Sequence, residues 1–174
     1  MRFIFTTLMF LTLSSQLFAS TTLLFGGFYS LTIPEDLINE AKMISLPNSG
    51  LALRTSEDSK ISAYVISPET ENLSKNFLMT SYPEFMLGLK NDSSLSENDK
   101  EIIKAMRESY TYNYDLSSVE VFKGDTHTAF LLVNDQSSTF FITQKSADQL
   151  LILNFENFEL NKAIEMIKGE YHVK

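Results

Sequence analysis

Two histidines and no cysteine limit what this chain of 174 residues can do as a nucleophile or soft metal ligand. The missing thiols remove disulfides, thiol catalysis, zinc ribbons and iron–sulfur clusters together. His127 follows Asp125 by two positions. Residues two apart in a strand point to one face, so the two can act as a general base and its orienting acid. The competing reading is a pair left in water at the mouth of a hairpin, since no serine or further ligand is tied to His127 by spacing. His172 falls beyond the last helical pattern, where chain ends commonly fray. Glu156 and Glu159 are close enough for an acid/base pair, or to favour the positive N-terminal end of a following helix. Gly26, Gly27, Gly50, Gly88, Gly124 and Gly169 never stand four apart around a serine. That excludes a nucleophile elbow, and the same spacings exclude a phosphate-cradling loop. No run of alternating Asp or Asn ahead of a glycine forms a calcium loop. The residues therefore predict no catalytic residue, no cofactor and no metal site.

Contact chemistry is better represented. Tyr110, Tyr112 and Tyr114 alternate with Thr111 and Asn113 and run into Asp115. In an extended segment all three rings project to one side, and tyrosine buries a large area at small entropic cost while keeping a hydroxyl for a partner. The other reading has Tyr110 finishing a helix while the remaining two cover a sheet edge. Tyr110, Tyr112, Tyr114 and Asp115 are the candidate partner-binding residues. Asp92, Glu97, Asp99 and Glu101 form an acidic stretch, either a solvated face or a surface that steers a cationic partner and weakens with salt.

Fourteen Lys and Arg against 22 Asp and Glu give a net charge of -8, which argues against nucleic acid or anionic lipid as the main partner. The chain is 44% hydrophobic and 21% charged, close to an ordinary globular composition. Met1-Arg2, an apolar run from Phe3 to Phe18 and the ending Leu17-Phe18-Ala19 read as a secretory signal over residues 1–19. The alternative is an uncleaved anchor, for which the run is short and rich in hydroxyls; a span needs about 20 apolar residues. Export without cysteine suits the bacterial periplasm or exterior. After the signal, 20–27 is expected to be a flexible N-terminus and 28–174 a single α/β domain.

The elements follow from periodicity. Tyr29, Leu31 and Ile33 alternate as in a half-buried strand. Pro34 then opens a helix carrying Leu37, Ile38, Ala41 and Ile44 on one face, closed by the turn Pro47-Asn48-Ser49-Gly50. Leu51 to Arg54 and Ile61 to Ile66 read as strands around a polar tip. Ser67-Pro68-Glu69 reads as a helix start, with Leu73, Phe77 and Leu78 as its buried side and Pro83 as its break. Phe85 and Leu89 fit a second short helix. Ser94 with Glu97, or Ser96 with Asp99, caps a third whose stripe is Ile102, Ile103, Met106 and Tyr110. Four short apolar runs between Val119 and Asn154 then form an antiparallel meander. Leu160, Ala163, Ile164 and Ile167 mark a last helix ended by Gly169.

Phe130-Leu131-Leu132-Val133, Phe140-Phe141-Ile142 and Leu150-Leu151-Ile152-Leu153 do not alternate apolar with polar. Antiparallel strands with one wet face do, so both faces of this sheet must be covered. The predicted fold is α+β, a three-layer α/β/α domain with a mostly antiparallel central sheet. A strand ending in Ile33-Pro34, a polar hairpin, a helical middle, a Val119-Phe122-Gly124 strand, two long apolar strands and a closing helix follow in that order. In this order the chain resembles the PsbP-like domain superfamily, small α/β/α modules that include exported bacterial lipoproteins. It departs from them in the helix directly after Ile33-Pro34, the lack of tryptophan and the lack of a lipidation cysteine. The resemblance implies a binding or assembly-accessory role more often than catalysis. Together these readings predict a small exported, non-enzymatic module that binds another, basic protein in the periplasm, in its concrete form an immunity or inhibitor protein. An envelope accessory factor assisting uptake or assembly is the first alternative, and a hydrolase using His127 is the second.

Overall fold

The computed structural model describes residues 20–39, 41–47, 50–55 and 58–170. The signal at 1–19, His172 and part of the polar tip at 56–57 lie outside the described residues. Residues 20–27, expected to be loose, are ordered as a strand and turn. Strand β1 (Ser20–Phe25) pairs antiparallel with β2 (Tyr29–Pro34), from Ser20 opposite Pro34 to Phe25 opposite Tyr29. Gly26 and Gly27 join them at φ 57° and 75°, a left-handed turn that glycine adopts freely, closed by the Phe28 N–H donating to the Phe25 carbonyl at 3.1 Å. Leu31 and Ile33 are buried, as their spacing predicts.

Pro34 does introduce a helix, but α1 (Glu35–Ile38) is a single turn. Ile44 is not on it. Lys42–Leu46 is strand β3, paired residue for residue with β4 (Gly50–Arg54), and Ile44 is 56% exposed. A short helix gains little per residue before it is nucleated, whereas the turn at Pro47 lets the same five residues form a ladder. Strand β5 (Lys60–Ile66) follows. The meander is β6 (Glu120–Lys123), β7 (His127–Val133), β8 (Ser137–Gln144) and β9 (Leu150–Glu156). All seven strands form one antiparallel sheet in the order β3-β4-β5-β9-β8-β7-β6.

Both faces of that sheet are dry over its centre. Phe140, Leu151, Leu153 and Phe155 pack with Leu31, Ile33, Ala163 and Ile167. This layer is α4 (Leu160–Glu170) together with the β1–β2 hairpin, so half of the covering layer is strand where helix alone was expected. Helix α4 runs through Gly169 rather than ending before it. On the other face Phe130, Phe141, Leu150 and Ile152 pack under Leu73, Phe77, Tyr82 and Ile103. There the cover is α2 (Tyr82–Met86) and α3 (Glu97–Asn113). Phe140, Phe141, Leu151 and Ile152 are each at most 2% exposed. The fold is α+β with a three-layer arrangement around an antiparallel sheet.

The segment after β5 departs most from expectation. Ser67 and Thr70 cap each other, with Ser67 N–H donating to Thr70 Oγ1 at 2.9 Å and Thr70 N–H to Ser67 Oγ at 3.3 Å. Asn72 then turns left-handed at φ 57°, so the predicted helix stops after one turn. Leu73 and Phe77 still reach the core, but Leu78 is 68% exposed. Pro83 lies in the first turn of α2 and starts that helix rather than breaking one. Leu89 lies beyond α2, half exposed. The Arg107 guanidinium donates to the carbonyls of Phe85 (2.5 Å) and Met86 (3.2 Å), fastening the end of α2 to α3. Among the described residues no helix is long and apolar enough to cross a membrane.

Candidate functional site

Helix α3 starts on Ser96, whose hydroxyl accepts from the Asp99 N–H at 3.2 Å, and it continues to Asn113. That length decides the fate of the tyrosines. Residues two apart on a helix diverge by about 200°, while residues four apart share a face. Tyr110 and Tyr114 therefore turn inward together with ring centres 6.2 Å apart, and Tyr110 sets its ring edge-on to Phe141 at 5.2 Å. Tyr112 points away and is 90% exposed. The three rings do not form a single row, because the segment is helical rather than extended. Asp115 caps the next short turn, its Oδ1 accepting from the Ser117 N–H (2.9 Å) and hydroxyl (2.7 Å). Those bonds hold its carboxyl below the ordinary aspartate range.

Tyr114 lies at the head of a polar chain. Its hydroxyl is shared with Ser137 Oγ at 2.8 Å and Thr139 Oγ1 at 2.9 Å, and Thr139 donates to Asn154 Oδ1 at 2.8 Å. Burial pushes the phenols of Tyr64, Tyr82 and Tyr110 upward, and burial likewise raises the Glu71 carboxyl. These phenols stay protonated at neutral pH.

Beside Tyr114 a cleft of about 350 Å³ opens between the end of α3, the β7–β8 turn and the end of β9. Asn113, Asn134, Gln136, Ser137, Asn154, Glu156 and Asn157 line it. The fold uses many of these amides itself. Asn134 Oδ1 accepts from the Gln136 N–H at 2.9 Å and the Ser137 N–H at 2.7 Å, and its Nδ2 donates to the Asn113 carbonyl at 3.1 Å. Asn157 donates to the Asp58 carbonyl at 2.9 Å. What remains is a firm polar wall suited to hydrogen bonds with a partner. Its asparagines come from well-separated segments, so no local pattern in the sequence signals it.

The other candidates separate. His127 shares its Nδ1 with Thr126 Oγ1 at 2.7 Å, and its ring lies 6.1 Å from that of Tyr29. It lines a space of about 60 Å³ with Phe28, Tyr29, Ser30 and Leu31, and Asp125 does not. That is room for roughly two waters. The Asp125 carbonyl is occupied by Lys145 Nζ at 2.7 Å. Glu156 and Glu159 do not form a pair: the first meets Lys60 at 2.6 Å and the second Lys162 at 3.4 Å. In the acidic stretch Glu97 meets Lys100 at 2.7 Å, but Asp99 is 4% exposed and therefore not part of a solvated face. It accepts from the Ser74 N–H and the Ser74 hydroxyl, each at 2.8 Å. Among the described residues no three acidic or histidine side chains gather to hold a metal. No protein-family model matches the sequence, and no curated protein matches it.

Proposed function

We propose that the protein is an exported, non-catalytic module that binds another protein in the bacterial envelope through the end of α3. The observation that carries this is Tyr112, an aromatic ring 90% exposed near the end of α3, the helix whose last residue, Asn113, lines the amide-lined cleft at Tyr114. Such a ring costs solvation where it stands and gains most when a partner covers it. With a net charge of -8, the fitting partner is basic, and an immunity or inhibitor protein against a basic lytic enzyme is the concrete form. The test measures the activity of basic envelope-lytic enzymes at saturating protein. Inhibition that weakens with added salt and is lost in Tyr112→Ala supports the reading; full activity at saturation removes it. The order of elements shared with PsbP-like modules supports a second reading, an envelope accessory factor. A deletion phenotype in the absence of any toxin distinguishes that one.

A further inference from the structure

The two edges of the seven-stranded sheet are finished differently. The β6 edge is four residues long with a charge at each end, Glu120 and Lys123. The β3 edge carries Lys42-Met43-Ile44-Ser45-Leu46, the first four exposed and Leu46 partly buried. Met43 (57% exposed) and Ile44 (56%) point to opposite faces, so neither covering layer reaches over this strand. Its outer row of backbone N–H and C=O groups is a template for another strand.

Charge says which strand. Lys42 is directly opposite Arg54, Arg54 is opposite Lys60, and Lys60 is opposite Glu156. Cross-strand partners share a face, so three cations stand in one row and the only acid lies at the inner end, held by Lys60 at 2.6 Å. Among the described residues neither Lys42 nor Arg54 has an ion pair. Like charges opposite one another are destabilising, and the vacant place in this row is beyond Lys42, where an added strand would set its own residue.

We infer that β3 accepts an extended segment of another protein, bearing a carboxylate opposite Lys42 and an apolar residue opposite Met43. The β3 strand of a second copy does not meet this requirement. Pairing β3 with itself in any antiparallel register offers Lys42 only residues from Lys-Met-Ile-Ser-Leu-Pro, none of them acidic. The β3 surface is four strands from β8 and Tyr114, so the inference stands or falls separately from the Tyr112 surface.

The test follows backbone amide shifts of the purified protein during addition of the capped peptide Thr-Val-Thr-Val-Glu-Val-Glu-Val or its counterpart with Lys in place of Glu. Shifts confined to β3 and β4, with the Glu peptide about fivefold tighter, are the expected result, since an exposed cross-strand pair gains a few tenths to 1 kcal/mol and a like pair loses as much. Lys42→Glu, an exposed change at the strand's start, reverses the preference. Equal binding of the two peptides, no shift at β3 with either, or a dimer through β3 in sedimentation overturns the inference.

Discussion

Asp99→Ala removes the acceptor that ties the turn at Ser74 to the first turn of α3, two segments 25 residues apart. The two lost bonds end on a buried carboxylate, and hydrogen bonds to charged groups contribute about 1.5–3 kcal/mol each. Ser74 is only half-buried, so water replaces part of what is lost. The expected cost is about 3 kcal/mol, and about half of that for Asp99→Asn, which keeps one acceptor and loses the charge. Acid separates charge from shape. Burial alone would raise the Asp99 carboxyl, but the Ser74 N–H and hydroxyl, with Ser96 and Asn98, outweigh it and hold the folded value below the usual one. Protonation therefore favours the unfolded chain. The stabilisation is complete above the free-aspartate value of about 4 and drains away as pH falls through the lower folded value. Urea unfolding at pH 7, 5 and 3 reads the gap between the wild type and Asp99→Asn, which should hold between pH 7 and 5 and narrow by pH 3. An undiminished gap at pH 3, or an Ala variant within about 0.5 kcal/mol of wild type, refutes the clamp.

Tyr114→Phe removes the hydroxyl shared by Ser137 and Thr139 and should cost about 1–2 kcal/mol in denaturant unfolding, leaving the helix content in circular dichroism unchanged. Gly26→Ala forces a side chain onto φ 57° and sets its Cβ 2.5 Å from Gln149 Oε1, so a loss of at least about 1–2 kcal/mol is expected in the same assay. Burial pushes the Tyr29 phenol up to about 12, and those of Tyr82 and Tyr110 further. Phenols that hold their protons more tightly when folded lose stability for the fold as pH rises past about 10. An absorbance titration should show these tyrosines ionising only with unfolding.

The strands were readable because their information is local. The unbroken apolar runs around Phe140 and Leu151 announce a sheet covered twice, and a cover on both faces is what the fold has. Where the reading failed, a distant contact had overridden a correct local signal. Ser67 and Thr70 do form the expected capping pair, but Asn72 turns left-handed, and the chain then docks on Asp99 from Ser74. Ile44 has helical spacing from Leu37 and Ala41, yet the ladder with β4 claims it. The tyrosines alternate as a strand would, and only the continuation of α3 to Asn113 turns Tyr112 away from its neighbours. The cleft beside Tyr114 draws on α3, β8 and β9 and the turns between, so nothing short of the tertiary structure reveals it.

The pairing of β5 with β9 joins Lys60 to Glu156, 96 positions later, in the middle of the sheet. During synthesis the first five strands are thus complete long before β5 has its second neighbour, and for that interval the growing chain carries an open, aggregation-prone rim. Closing so large a loop is slow, and folding of such topologies runs in milliseconds to seconds. A chain that ends anywhere between Ile66 and Leu150 lacks β9, and nothing then seals the inner edge of β5.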